Sequence, residues 1–252
     1  MNREPFSLGL YNYWSNTVVF LIWLTKTGFH NKHGKLFDLD EENLIMPIAD
    51  NIDEYIEQQR AAIASNPECG MSHYNLAIAL LGLKNYDEAE KELQEAVEHS
   101  PSLAEAYVQL GGIRLQRGDL DGCLDYNKRA IHSRAAFAEG YGNIGFVQLQ
   151  KGNVDEAITA LEKAVKYNKK FIQALATLAN AYLMKGMIEE SIDTSNNVLK
   201  LEPNFAVAYN NLAIAYMENG EFGLAVEHAD KARELGYEVA PEILKELEAY
   251  RR

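Results

Sequence analysis

The chain has 252 residues, a formal net charge of −13 and 47% hydrophobic residues. This acidity argues against nonspecific nucleic-acid binding, because affinity for a duplex comes mainly from neutralised phosphates. The sequence contains only two cysteines, which fits a reducing cytoplasm, the location that we predict.

An apolar, aromatic segment occupies residues 6–24. Its large aromatic side chains are Tyr11, Tyr13, Trp14, Phe20 and Trp23. A secretory signal is not expected, because Glu4 follows Arg3 at once and no Ala-x-Ala cleavage site appears. Polar residues at positions 12 and 15–17 interrupt the apolar window of about twenty residues that a spanning helix needs.

Three interpretations of this segment stay open, with Trp14, Phe20 and Trp23 as the candidate anchor or docking residues. It can fold back on the helices that follow, or cap them. It can dock in a partner subunit or in a neighbouring copy, which would make the protein a homo-oligomer. It can also lie in or cross a membrane, with its two tryptophans at the headgroups. The protein would then sit at the inner face of that membrane.

The remainder of the chain repeats with a period of thirty-four residues. One ladder of apolar residues, each followed by alanine or glycine, is Leu76, Leu110, Ile144, Leu178 and Leu212. A second ladder of small residues at the same period is Ala89, Cys123, Ala157, Ser191 and Ala225. A third is Ala96, Ala130, Ala164, Val198 and Ala232. Ladders in phase indicate a repeated supersecondary unit.

Each unit has the pattern of two helices. Tyr107, Leu110 and Gly111 lie at i, i+3 and i+4 on one helix face. A glycine then permits the left-handed conformation that ends a helix, as at Gly118, and a second helix with acidic residues in its first turn follows. The small residues indicate where the two helices cross, because a bulky side chain there would overpack the crossing.

The period and the motif resemble the tetratricopeptide repeat, whose signature is W-x2-L-G-x2-Y, then A-x3-F, then P. The match here includes Tyr209-x2-Leu212-Ala213-x2-Tyr216 and the closing residues Pro101 and Pro203. The resemblance implies an all-α fold, a right-handed α-solenoid of about five helix pairs, with an extra N-terminal helix and a C-terminal capping helix. The predicted regions are 1–35 (the aromatic segment), 36–69 (a degenerate half-repeat), 70–103, 104–137, 138–171, 172–205 and 206–239 (five repeats), and 240–252 (the capping helix).

In this family the first helices line a concave groove that binds a partner. Carried over by position, the resemblance implies a groove formed by Asn75, Ile78, Gln109, Asn143, Phe146, Thr177, Asn180, Asn211 and Ile214. Carboxamides can donate to and accept from a peptide backbone, so this row could hold an extended chain. The same asparagines could instead satisfy neighbouring backbone groups. No lysine or arginine stands at the positions of the family's two-carboxylate clamp, so an acidic chaperone tail is not the expected ligand.

Signals of catalysis are weak. Residues 140–145 match the dinucleotide-binding G-x-G-x-x-G, but they lie inside a predicted first helix instead of between a strand and a helix. His30 and His33 form the only close histidine pair, without a third ligand at metal spacing. We therefore predict neither an enzyme, nor a cofactor, nor a metal site.

The sequence predicts a non-catalytic scaffold or adaptor that binds a partner peptide or helix in the groove. The alternatives are a membrane-associated assembly or regulatory subunit tethered through residues 6–24, and a self-assembling scaffold. A detached regulatory domain of a group-transfer enzyme has only the carboxamide row in its favour.

Overall fold

The computed structural model describes residues 52–251, and this part of the chain is helical throughout, without strands. The predicted all-α fold is confirmed. The helices are α1 (Ile52–Ser65), α2 (Gly70–Gly82), α3 (Tyr86–His99), α4 (Ala104–Gln116), α5 (Leu120–Ser133), α6 (Ala138–Gln150), α7 (Val154–Tyr167), α8 (Ile172–Lys185), α9 (Ile188–Leu201), α10 (Ala206–Glu218), α11 (Phe222–Glu234) and α12 (Pro241–Leu247). The candidate anchors Trp14, Phe20 and Trp23 lie outside the described residues.

The described chain divides into two compact units, and the boundary falls within α6. We call residues 52–140 the N-terminal unit and residues 141–251 the C-terminal unit. The core of the N-terminal unit includes Leu76, Leu93 and Leu110, all at most 2% exposed. At the end of the C-terminal unit, Ala213 and Ile243 belong to one buried cluster.

The small residues of the ladders lie at close helix crossings, as predicted. A Cβ added to Gly111 would stand 2.6 Å from Nδ2 of Asn127 on the facing helix. A Cβ on Gly145 would stand 3.1 Å from the Ala157 carbonyl oxygen and would collide with Leu161. A Cβ at Gly111 would therefore require the Asn127 side chain to move, and one at Gly145 would require Leu161 and the facing backbone to shift.

The predicted breaks between paired helices are also confirmed. Gly118, Gly152, Gly186 and Gly220 follow their first helices with φ between 77° and 79°. In the first repeat Lys84 occupies the same place with φ 60°. An L-residue in the left-handed region costs roughly 1–2 kcal/mol, so Lys84 is a local strain that the glycines avoid.

A short helix closes the C-terminal unit. Pro241 begins α12 at a position where its missing N–H costs nothing, and Ile243 and Leu247 bury their side chains. The predicted capping helix 240–252 is shorter than expected: α12 ends at Leu247 and a 3-10 turn, Glu248–Tyr250, follows. After that turn, the Arg251 guanidinium makes two hydrogen bonds of 2.7 and 2.8 Å to the Asp230 carboxylate on α11.

Candidate interaction face

The groove positions implied by the resemblance fall on the first helix of each pair. In the N-terminal unit, Asn75 and Ile78 lie on α2 and are half-buried. Gln109 lies on α4 and is 9% exposed, and its Oε1 is buried without a hydrogen-bond partner among the described residues. We call these three side chains the N-terminal face.

The C-terminal unit carries the larger set, which we call the C-terminal face. Asn143 and Asn180 are half-buried, and the other four side chains are buried. The face comprises Asn143 and Phe146 on α6, Thr177 and Asn180 on α8, and Asn211 and Ile214 on α10.

The side-chain hydrogen bond of Asn211 shows what its carboxamide does in the fold. Its Nδ2 donates to the carbonyl oxygen of Ala176 on α8 over 3.1 Å. A carbonyl can only accept, so this bond assigns nitrogen to that side of the amide. The Oδ1 of Asn211 is buried and has no partner within residues 52–251. Asn211 therefore supports a neighbouring backbone, and its buried oxygen is not accessible to a ligand.

The structure shows a second buried carboxamide, Asn210, beside the predicted site residue Asn211; the sequence reasoning did not select it. Asn210 is 2% exposed, and its Oδ1 is also buried without a partner in the described part of the chain. From the sequence, Asn210 mattered only because it is not basic and so cannot form a carboxylate clamp. The Asn210-Asn211 doublet was the available signal.

Thr177 can form fewer hydrogen bonds with a ligand than a carboxamide side chain can. Its hydroxyl donates to the Gln173 carbonyl oxygen one turn earlier on α8, over 2.7 Å. The hydroxyl hydrogen is therefore occupied inside the helix, and Thr177 can only accept a hydrogen bond from a ligand.

The C-terminal face lacks positive charge. The groove positions that the resemblance assigns to α8 and α10 carry no lysine, arginine or histidine. Ile214 and Met217, both 6% exposed, supply an apolar stripe on α10. The half-buried Asn180 carboxamide is accessible to a ligand, but the face cannot neutralise an acidic one.

A buried histidine with two hydrogen-bond partners, which the sequence did not predict, lies in the N-terminal unit. The Nδ1 of His73 is 2.7 Å from Glu92 Oε2, and its Nε2 is 2.8 Å from the Pro67 carbonyl oxygen. Both neighbours are acceptors, and both ring nitrogens can donate only when the imidazole is protonated, so this geometry favours the protonated form. Burial lowers the pKa of His73, but the hydrogen bonds to Glu92 and Pro67 outweigh it and raise the pKa above its ordinary value.

Other chemistry is sparse in residues 52–251. They contain no group of three or more histidine, cysteine or acidic residues that could hold a metal ion. Both cysteines are free, and burial raises the pKa of the Cys123 thiol to about 12. Cys123 therefore acts as a packing residue at its helix crossing. Among the helices described, none has the length and apolar character needed to cross a membrane.

Comparison with solved structures shows the same fold. YrrB, described as a TPR protein with an unusual peptide-binding site, aligns with a TM-score of 0.63 and 21% identity over 77% of this chain and 99% of YrrB. MamA aligns with a TM-score of 0.57 and 22% identity over 64% of this chain and 94% of MamA. The pilF protein of Pseudomonas aeruginosa aligns with a TM-score of 0.66 and 15% identity over 79% and 91% of the two chains.

Sequence comparison gives the family. No curated protein matches significantly. Three family descriptions match separate stretches: a tetratricopeptide repeat at residues 71–103, a TPR repeat at residues 147–186 and a tetratricopeptide repeat at residues 196–227. Together with the helix pairs and their period, these matches show that the chain belongs to the tetratricopeptide-repeat family, whose repeats support protein-interaction scaffolds.

Proposed function

We propose that this protein is a non-catalytic scaffold that binds a segment of a partner protein on the C-terminal face. The observation that carries the proposal is a pair of accessible side chains one turn apart on α8, the half-buried Asn180 and Met184, which is 42% exposed. The Asn180 carboxamide can both donate to and accept from a partner's backbone, and Met184 offers apolar surface beside it.

Burial of the exposed Met184 side chain would contribute affinity, because removal of apolar surface from water contributes roughly 25 cal/mol per Å². YrrB, a TPR protein of similar fold, is described as having an unusual peptide-binding site, which supports peptide binding as the use of such a fold. Both cysteines are free, as expected in the cytoplasm, where we place the protein.

A peptide selected from a phage-displayed library on the intact chain provides the probe. We expect Asn180→Leu to raise the Kd of this peptide about five- to tenfold, the equivalent of one lost hydrogen bond. The free energy of unfolding should change little, because the Asn180 side chain is only half-buried. Binding is measured by fluorescence polarisation and unfolding by urea denaturation.

Asn197→Leu is the matched control, because Asn197 is exposed on α9, the second helix of its repeat. This substitution should leave the Kd unchanged. Equal affinities for the wild type and Asn180→Leu would place the peptide elsewhere and refute the proposed face.

A further inference from the structure

The sequence contains two short runs of basic residues on second helices, and the structure gives them different surroundings. The first run is Lys128, Arg129 and Arg134, on α5 and directly after it. The Arg129 guanidinium is 2.9 Å from the Asp125 carboxylate. Arg134 makes two hydrogen bonds of 2.5 and 2.8 Å to the Glu105 carboxylate. Two of the three cations of this run are therefore neutralised within the N-terminal unit.

The second run has no carboxylate partners. It consists of Lys163 and Lys166 on α7 and of Lys169 and Lys170 directly after that helix. All four residues are exposed, and none of them forms an ion pair within the described part of the chain. Glu162 stands one turn before Lys166, but its carboxylate accepts a hydrogen bond of 3.0 Å from the Tyr182 hydroxyl. Four positive charges close together in sequence thus remain uncompensated.

Two tyrosine rings lie among these lysines. The Nζ of Lys163 is 5.5 Å from the ring centre of Tyr141 on α6, a cation–π contact. The Tyr141 and Tyr167 rings are also in contact, with their centres 5.5 Å apart, and Tyr167 is 43% exposed. We call the four lysines and the two tyrosines the basic patch. It belongs to the C-terminal unit, shares no residue with the C-terminal face, and offers aromatic surface as well as charge.

The side-chain type of the patch indicates which anion it suits. A lysine ammonium is a compact charge on a flexible stem with three rotatable donors, whereas arginine imposes the fixed geometry of a planar fork. Exposed lysines therefore attract several carboxylates in a row without requiring one precise orientation. A flexible chain with successive acidic residues is the complementary ligand.

The charge of the whole chain limits the size of that ligand. The formal net charge is −13, so the surface outside the patch is predominantly acidic. Interactions between exposed charges decay over about 8 Å at physiological ionic strength. A membrane surface or a nucleic-acid duplex extends far beyond the patch and would be repelled by these acidic residues, whereas a short peptide can stay within reach of the lysines.

We propose that the basic patch binds a short acidic segment of a partner protein. Its carboxylates face the lysines, and an apolar side chain of the segment packs on the exposed Tyr167 ring. The C-terminal face has no basic residue on α8 or α10 and cannot neutralise such a ligand. The patch therefore gives the scaffold a second attachment point with a different chemistry.

A fluorescein-labelled oligoglutamate peptide with a central phenylalanine provides the probe for the intact chain. Fluorescence polarisation should show binding that weakens at least about tenfold when the ionic strength rises from about 0.05 to about 0.5 M, because the Debye length then falls to about 4 Å. Replacing both Lys166 and Lys169 by glutamate should raise the Kd about ten- to a hundredfold, since two attractions become repulsions. An oligoglutamine peptide of the same length should not bind.

The matched control combines Lys128→Glu with Arg129→Glu. It changes the net charge by the same amount, but it acts on the run whose arginines are already paired, so the Kd should change less than about twofold. The combination of Lys166→Gln with Lys169→Gln guards against misfolding, because it only removes charge, and it should raise the Kd about three- to tenfold. Circular dichroism checks that each variant is folded.

Several results would overturn the inference. Absence of oligoglutamate binding, or equal binding of oligoglutamine, would show that the patch does not recognise carboxylates. An equal loss in the control variant would reduce the effect to net charge. If phosphatidylserine vesicles or duplex DNA bound through Lys166 and Lys169 while oligoglutamate did not, the occupant would be of another class. Self-association in light scattering that the glutamate variant abolishes would identify a second copy of this chain as the occupant.

Discussion

The two units of the molecule treat their polar groups differently. In the N-terminal unit, Glu90 on α3 accepts hydrogen bonds of 2.6 Å from both Arg114 and Arg117 of the next repeat. In the C-terminal unit, the corresponding junction of α7 and α8 has Lys185 paired with Asp155, which is 71% exposed. This unit also holds the buried oxygens of Ser191, Ser195, Asn210 and Asn211 without partners in the described chain.

The difference is between a unit whose charged groups are paired at the junctions and a unit that holds several buried oxygens without donors. Charged groups at the junctions of the N-terminal unit form hydrogen-bonded ion pairs with one another. Gln109 Oε1 is a buried amide oxygen of this unit that has no partner among the described residues. The C-terminal unit retains acceptors that are costly in the absence of donors. Repeats with the same backbone pattern can therefore differ in how completely their buried polar groups are hydrogen-bonded.

The largest expected effect tests what the two units share. Leu93 and Leu161 occupy the same repeat position and are 0% exposed. Leu93→Ala and Leu161→Ala should each lower the free energy of unfolding by about 2–5 kcal/mol, because each leaves a cavity at a helix crossing. Urea denaturation followed by circular dichroism measures the loss. Leu83→Ala, at a 49% exposed position, is the control and should change little. A small loss for Leu161 alone would show looser packing in the C-terminal unit.

The next effect addresses the junctions directly. Glu90→Gln should cost about 1–2 kcal/mol, because the Glu90 side chain is only 12% exposed and accepts from two guanidinium groups. Asp155→Asn should cost less than about 0.5 kcal/mol, since an exposed ion pair is screened by water. Thermal and urea unfolding of both variants provide the comparison. Equal losses would contradict the proposed difference between the units.

A smaller effect of opposite sign is expected from the buried hydroxyls. Ser195→Ala should raise the free energy of unfolding by up to about 1 kcal/mol, because it removes an unpartnered buried oxygen. Asn127 stands at the same repeat position in the N-terminal unit, but its Nδ2 donates to the Cys123 carbonyl over 2.9 Å. Asn127→Ala should therefore be destabilising. A loss of stability in Ser195→Ala would mean that its hydroxyl is hydrogen-bonded after all.

The smallest effect is a pair of opposite pH dependences. The pKa of His73 is raised, so its contribution to stability is full below its unfolded pKa and is lost as the pH rises through the folded value. Burial lowers the pKa of His228 on α11, so its contribution is full above the unfolded pKa and is lost as the pH falls through the folded value.

Urea denaturation at several values between roughly pH 5 and pH 8, which lie on both sides of the ordinary histidine pKa, measures how the free energy of unfolding changes with pH. Removing His73 as His73→Gln should abolish the loss of stability toward high pH. The variant His228→Gln should abolish the loss toward low pH. Slopes of the same sign for the two histidines would contradict their assigned environments.

Much of the fold was predictable because it depends on spacing along the chain. Leu110 and Gly111 at i+3 and i+4 from Tyr107 require a helix face, and Gly118 ends that helix with a positive φ. The capping helix was predicted too long, since α12 ends at Leu247 and a 3-10 turn follows. Composition does not determine whether the last turn of a short helix stays α-helical.

The site was less accessible from sequence. Asn211 was identified by its repeat position, but its bond to Ala176 joins residues thirty-five positions apart. The neighbouring Asn210 was not selected, because nothing in its local pattern shows that its oxygen is buried without a donor. The raised pKa of His73 was also unpredictable, since it depends on Glu92 and Pro67 meeting the two ring nitrogens.

The sequence by itself determined that this protein is a series of paired helices of the tetratricopeptide-repeat family. The physical reason is that phased small and apolar residues have only one way to be buried, at the crossings of neighbouring helices. Only the tertiary structure decided which polar atoms are satisfied. Hydrogen bonding depends on distances of a few ångströms between helices that are distant in sequence, and these distances left the acceptors of Asn210 and Asn211 without donors.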